Sequence, residues 1–113
     1  MKLPNLDQAY VPPEKLTDYL LSEENSSGKS GFFAAFGFSI MQPDRLREAL
    51  LLRARTHEVI KFSETAHGIK FIIDGELQAP DRRTPYVRSI WIIDIGKTKP
   101  RFVTAYPLKG GKL

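Results

Sequence analysis

Arg88, Arg101, Thr104 and Tyr106 stand in two successive runs of β-branched and aromatic residues, 86–93 and 101–106, which should form adjacent strands. Chemistry at an RNA phosphate needs cations that neutralise the phosphate oxygens and one group that moves the 2′-hydroxyl proton. Arg88, Thr104 and Tyr106 can supply charge and hydrogen bonds, and Arg101 and Lys70 add positive charge. His57 or Lys70 can handle the proton, the imidazole because its ordinary pKa lies near neutrality. The candidate catalytic set is therefore His57, Arg88 and Thr104, with Lys29, Lys70, Arg101 and Tyr106 as substrate contacts. Each also has a plain structural reading. His57 ends a helix, where the dipole favours a histidine, and Tyr106 could simply cap the sheet edge. Alternation puts Arg88 and Trp91 on opposite faces, and Trp91 reads as core.

Other constellations are weaker. Gly28-Lys29-Ser30 matches the end of a phosphate-binding P-loop, but Glu23 stands where the first glycine belongs and a helix precedes it instead of a strand. Lys29 remains a candidate phosphate contact on a polar loop, or a solvated loop residue. His67 sits in a turn beside Gly68, and two histidines without a spaced acidic partner do not make a metal site. Glu23-Glu24 is a loop run, and Asp74, Glu76 and Asp94 lie near strand ends, so a two-carboxylate hydrolase is not supported. With no cysteine, thiolate zinc sites, disulfides and cysteine nucleophiles are excluded. No metal and no cofactor is expected.

The elements that must position these groups divide the chain in two. Residues 11–21 read as a short helix with Leu16, Tyr19 and Leu20 on its buried stripe. Residues 22–31 are polar and read as a loop. Residues 32–36 form an apolar helical turn, with Gly37 suited to its C-terminal cap. Pro43-Asp44 opens the clearest helix, whose stripe is Leu46, Ala49, Leu50 and Ala54 and whose late arginines suit its C-terminal end. From about residue 58 the period changes to 2, and strands are expected over 59–62, 69–73, 86–93 and 101–106, separated by turns. Connections this short make neighbouring strands antiparallel. The predicted fold is α+β: two or three N-terminal helices on one face of a four-stranded antiparallel meander. Strict alternation sets Ile69, Phe71 and Ile73 against Lys70, Ile72 and Asp74, and Arg101, Val103 and Ala105 against Phe102, Thr104 and Tyr106. The sheet face away from the helices must be solvated or bind something.

A chain of 113 residues suits a single domain, here 1–107, with 108–113 as a flexible tail. The net charge of +4 is uneven. Residues 1–60 hold seven Lys/Arg against eight Asp/Glu, whereas residues 61–113 hold ten against five. A positive sheet half favours a polyanion such as RNA through counterion release, although a modest excess also serves solubility. The N-terminus lacks the apolar run of a signal peptide and no stretch approaches a membrane span. A cytoplasmic location without membrane contact is expected.

The strings Leu3-Pro4-Asn5, Lys15-Leu16-Thr17-Asp18-Tyr19-Leu20-Leu21, Phe32-Phe33, Gly37-Phe38, Leu46-Arg47-Glu48-Ala49-Leu50, Val87-Arg88, Trp91-Ile92-Ile93-Asp94 and 100–107 (Pro-Arg-Phe-Val-Thr-Ala-Tyr-Pro) span almost the whole chain. Together they resemble a bacterial family of uncharacterised domains, found as small standalone proteins and as C-terminal modules of polymorphic toxins. The helix-then-sheet order is similar to the barnase–EndoU–colicin–RelE group of metal-independent ribonucleases, a likeness of fold, which does not by itself confer function. The resemblance implies an RNA endonuclease of toxin type with a small immunity or antitoxin protein as partner. The alternative is a non-enzymatic protein-binding module that uses the open sheet face or edge. One departure matters. Family members carry a longer basic stretch, with His-Pro and a further lysine, where this chain has the shorter 25–31. Whether Lys29 stands for the family lysine is left open by the sequence.

Overall fold

The computed structural model describes residues 1–24 and 28–108. A 3-10 turn, Leu6–Gln8, leads to α1, Pro13–Lys15, which runs on directly as a π-helical turn, Leu16–Leu20. Two further helices follow, α2 (Lys29–Ala35) and α3 (Pro43–Thr56). The remaining elements are β1 (Val59–Glu64), β2 (Gly68–Glu76), β3 (Tyr86–Asp94) and β4 (Arg101–Pro107), in spatial order β1-β2-β3-β4 with every neighbouring pair antiparallel. This is the expected α+β arrangement of three N-terminal helices and a four-stranded meander.

Apolar spacing explains the helices. In α3, Leu46, Ala49, Leu50, Leu51 and Ala54 are buried, and Pro43 occupies the first turn, where its missing N–H removes no hydrogen bond. In the first helix Leu16 and Leu20 are buried, and the Leu21 N–H reaches five residues back to the Leu16 carbonyl at 2.9 Å. The second helix starts earlier than its apolar run suggested: Lys29, Ser30 and Gly31 are helical and not loop. Gly28, at φ +89°, turns the chain into the helix, and the fully buried Phe33 anchors it. Its C-terminal end is as expected. Gly37 takes a positive φ and the Phe38 N–H donates back to the Phe33 carbonyl at 3.1 Å. Residues 25–27 of the expected loop and 109–113 of the expected tail lie outside the described residues. Leu108, assigned to that tail, still donates its N–H to the Tyr86 carbonyl at 3.0 Å.

The covered face of the sheet is built from Phe71, Ile73, Leu77, Val87, Ser89, Trp91, Phe102 and Ala105, all buried with the helix stripes. The opposite face carries three cross-strand rungs: Asp74–Arg88–Tyr106, Ile72–Ile90–Thr104 and Lys70–Ile92–Arg101. The alternation expected for β4 does not hold through the whole strand. Thr104 pairs with Ile90 and Phe102 with the next residue, Trp91, so Val103 is an extra residue in the ladder. Across this bulge the faces exchange: Phe102 turns into the core and Arg101 joins Thr104 and Tyr106 on the other side. The physical cause is visible at Trp91, whose ring packs edge-on against Phe102 with centroids 5.3 Å apart.

One polar side chain belongs to the core. Ser89 is 1% exposed; its hydroxyl accepts from Trp91 Nε1 at 3.0 Å and donates to the Ile73 carbonyl at 3.3 Å. Ser89→Ala leaves the indole N–H buried without an acceptor and is expected to cost about 1–3 kcal/mol. Urea denaturation followed by Trp91 fluorescence measures this as a lower midpoint with an unchanged slope.

Candidate functional site

A pair of hydroxyls joins the helices to the uncovered face. The first helix packs beside β4, an edge strand of the sheet, and Tyr19 on its π-helical turn reaches Thr104 with 2.9 Å between the two oxygens. The Lys15 ammonium lies 5.3 Å and the Lys29 ammonium 5.4 Å from the centre of the Tyr19 ring. Burial on its own would raise the Tyr19 pKa. The hydrogen bonds from Thr104 and Lys29, with the charges of Lys29 and Lys15, outweigh that effect and hold the phenol below its ordinary value. The group is half-buried.

Two residues further along the same face of β4, Tyr106 pairs with Arg88. Arg88 donates to both oxygens of Asp74, Nε to Oδ1 at 2.8 Å and Nη2 to Oδ2 at 3.0 Å. The Asp74 hydrogen bonds raise the arginine pKa most and, with a hydrogen bond to Tyr106, overcome the opposing effect of burial. Arg101 is held the same way by Asp94, at 3.0 and 2.9 Å, and this pairing holds the Asp94 carboxyl below its usual range. Each arginine charge is balanced by a carboxylate, Arg88 by Asp74 of its own rung and Arg101 by Asp94, two residues beyond Ile92 on β3. A fork held on two oxygens is also fixed in direction, because guanidinium and carboxylate match in plane and spacing.

Of the residues singled out for chemistry, the fold links Lys29 to Thr104 through Tyr19 and Arg88 to Tyr106. Lys70 and Arg101 take the outer rung on the same face, on either side of the buried Ile92. His57 is elsewhere. Its imidazole packs over Gly75, where a Cβ would overlap the ring, and Gly75 shares the covered face with the buried Ile73 and Leu77, two residues to either side. The sheet therefore separates His57 from Arg88 and Thr104. Two participants were not legible as such. Tyr19 sits on a core stripe, where its hydroxyl, needing a polar partner, was the available signal. Asp74, near a strand end, read as turn chemistry.

His57 has its own environment. Arg53 Nη1 lies 3.3 Å from both ring nitrogens and Thr56 Oγ1 3.1 Å from Nδ1. Burial first, then the charges of Arg53 and Lys2, lower its pKa against the opposing pull of Glu76. The folded state thus prefers the neutral ring. Its contribution to stability is complete above the unfolded value of about 6.5 and is lost as pH falls through the lower folded value. Wild-type denaturation midpoints should fall on acidification below about pH 6.5, and His57→Gln should lack that part of the slope.

Among the described residues, no helix is long and apolar enough to cross a membrane, and no cluster of three or more His, Asp or Glu side chains could ligate a metal. The family model described as "Domain of unknown function (DUF6883)" matches residues 2–109. No curated protein matches the chain. Among solved structures, the fold is similar to a chain of a contact-dependent growth inhibition toxin–immunity protein complex from Klebsiella pneumoniae 342. The TM-score is 0.70 at 14% sequence identity, over 93% of this chain and 97% of that one.

Proposed function

We propose that this chain, which belongs to the DUF6883 family of domains of unknown function, is a toxin-type domain that cleaves RNA without a metal ion and is silenced by a small immunity protein. The observation that supports the reading is the hydroxyl pair Tyr19–Thr104, flanked by Lys15 and Lys29, at the sheet face that the helices leave uncovered. The likeness of fold to a chain from a toxin–immunity complex, over nearly the full length of both, adds to it. RNA cleavage by its own 2′-hydroxyl needs side chains alone: cations at the phosphate, hydrogen bonds that orient it and one proton acceptor. Arg88, Arg101, Thr104 and Tyr106 supply oriented hydrogen bonds, Lys29 and Lys70 supply charge, and His57 lies on the other side of the sheet. The immunity partner would cover this face with acidic groups that meet Lys15 and Lys29 beside Tyr19 and Lys70 on β2.

Incubation of the purified protein with total tRNA in EDTA tests the reading. Fragments carrying a 2′,3′-cyclic phosphate are expected, together with growth arrest on expression. Intact tRNA and unimpaired growth would sink it. A second reading, a protein-binding module without activity, draws on the carboxylates that already engage Arg88 and Arg101. A stable partner recovered from the native host, with tRNA left intact, would favour that reading instead.

A further inference from the structure

The geometry points to the Tyr19 hydroxyl as the group that takes the 2′-hydroxyl proton, with Thr104 and Lys29 holding it in position. This assignment rests on the ribonuclease reading above and adds to it a catalytic residue. His57 lies across the sheet from the Arg88 rung, so the proton acceptor must come from the uncovered side. There Tyr19 is half-buried, so it is both reachable and partly shielded from water, and it contacts Thr104, a residue 85 positions away. The π-helical turn that carries it, Leu16–Leu20, buries Leu16 and Leu20 on either side, which fixes where the ring can point. Cations on the ring and a hydroxyl hydrogen bond both favour the phenolate, and the lowered phenol pKa agrees with that arrangement.

The step balances within the site. The Tyr19 phenolate takes the 2′-hydroxyl proton, the 2′-oxygen forms its bond to phosphorus, and the bond from phosphorus to the 5′-oxygen breaks. The Lys29 ammonium, beside the Tyr19 ring, gives a proton to the departing 5′-oxygen and recovers one from the Tyr19 phenol. The products are a 2′,3′-cyclic phosphate and a 5′-hydroxyl, and the enzyme returns to its starting protonation.

The test compares wild type, Tyr19→Phe and Lys29→Gln for cleavage of tRNA in EDTA across pH, for tRNA binding, and for the absorbance titration of their tyrosines. Tyr19→Phe keeps the ring and its packing. It is expected to cleave about 10²-fold more slowly or worse, while binding tRNA as wild type does and losing the Tyr19 step from the titration. Lys29→Gln should move that step, and the rising limb of the pH–rate profile, to higher pH. If wild type is active and Tyr19→Phe cleaves at a similar rate, the Tyr19 assignment is overturned and the ribonuclease reading stands. An unmoved pH–rate limb in Lys29→Gln overturns the assignment as well. Intact tRNA with the wild-type protein overturns both.

Discussion

Gly68→Ala is expected to lower stability by about 2–4 kcal/mol, a large share of what a domain of this size has. Gly68 opens β2 opposite Asp94 of β3, with φ at +149°. A Cβ there would overlap the Ile93 carbonyl oxygen and stand 2.9 Å from the Asp94 Cα, and both obstacles are backbone. Side chains at a clash can rotate away, but a paired strand can withdraw only by giving up its ladder. The turn before it adds to the demand, since the Thr65 hydroxyl donates to the Gly68 carbonyl at 2.8 Å. Gly31→Ala is the natural contrast. Gly31 lies inside α2 with nothing within 4 Å of an added Cβ, and helix propensity predicts a gain of about 0.5–1 kcal/mol. Thermal denaturation of the two variants should give midpoints on opposite sides of wild type. A Gly68→Ala protein as stable as wild type would show that the β2–β3 hairpin has room that its backbone spacing denies.

Arg88→Ala is expected to reduce tRNA cleavage about 10²–10³-fold, the usual cost of removing one oriented donor from a developing oxyanion. Arg88 is the middle member of its rung and interacts with Tyr106 while Asp74 fixes its plane. The same change orphans a carboxylate whose side chain is 13% exposed, so about 1–3 kcal/mol of stability should be lost as well. Activity lost through unfolding and activity lost through chemistry must therefore be separated. The double variant Asp74→Asn/Arg88→Gln does so. It keeps a neutral hydrogen-bonding pair at the rung and removes both charges, so stability should return toward wild type while cleavage stays low. Cleavage that recovers along with stability would mean that the guanidinium braces the sheet and has no part at the phosphate. Asp74→Asn alone keeps the cation and removes the charge that cancels it, and tighter tRNA binding is expected, measured at a fixed ionic strength because the gain is electrostatic.

Periodicity alone was enough to determine the architecture. The 3.6-residue stripe of Leu46, Ala49, Leu50 and Ala54 specified α3, and the change to alternating β-branched and aromatic residues after residue 58 specified four strands in a meander. Such signals are local: which side of an element is apolar depends on neighbours a few residues away. The separation of Arg88 from Trp91 was readable for the same reason, as both lie within one regular strand. What only the tertiary structure decided is every relation between distant elements. Val103 as an extra residue could not be counted from β4 itself, because the need for it comes from Trp91 on β3 claiming Phe102. Likewise, the side of the sheet on which His57 comes to rest depends on how α3 docks, and on the missing side chain of Gly75 that leaves room for the ring. The contact of Tyr19 with Thr104 depends on where the buried Leu16 and Leu20 seat the first helix along β4. Alternation within a segment reflects its own burial, whereas a site assembled from segments 85 residues apart is fixed by packing, which a linear pattern does not contain.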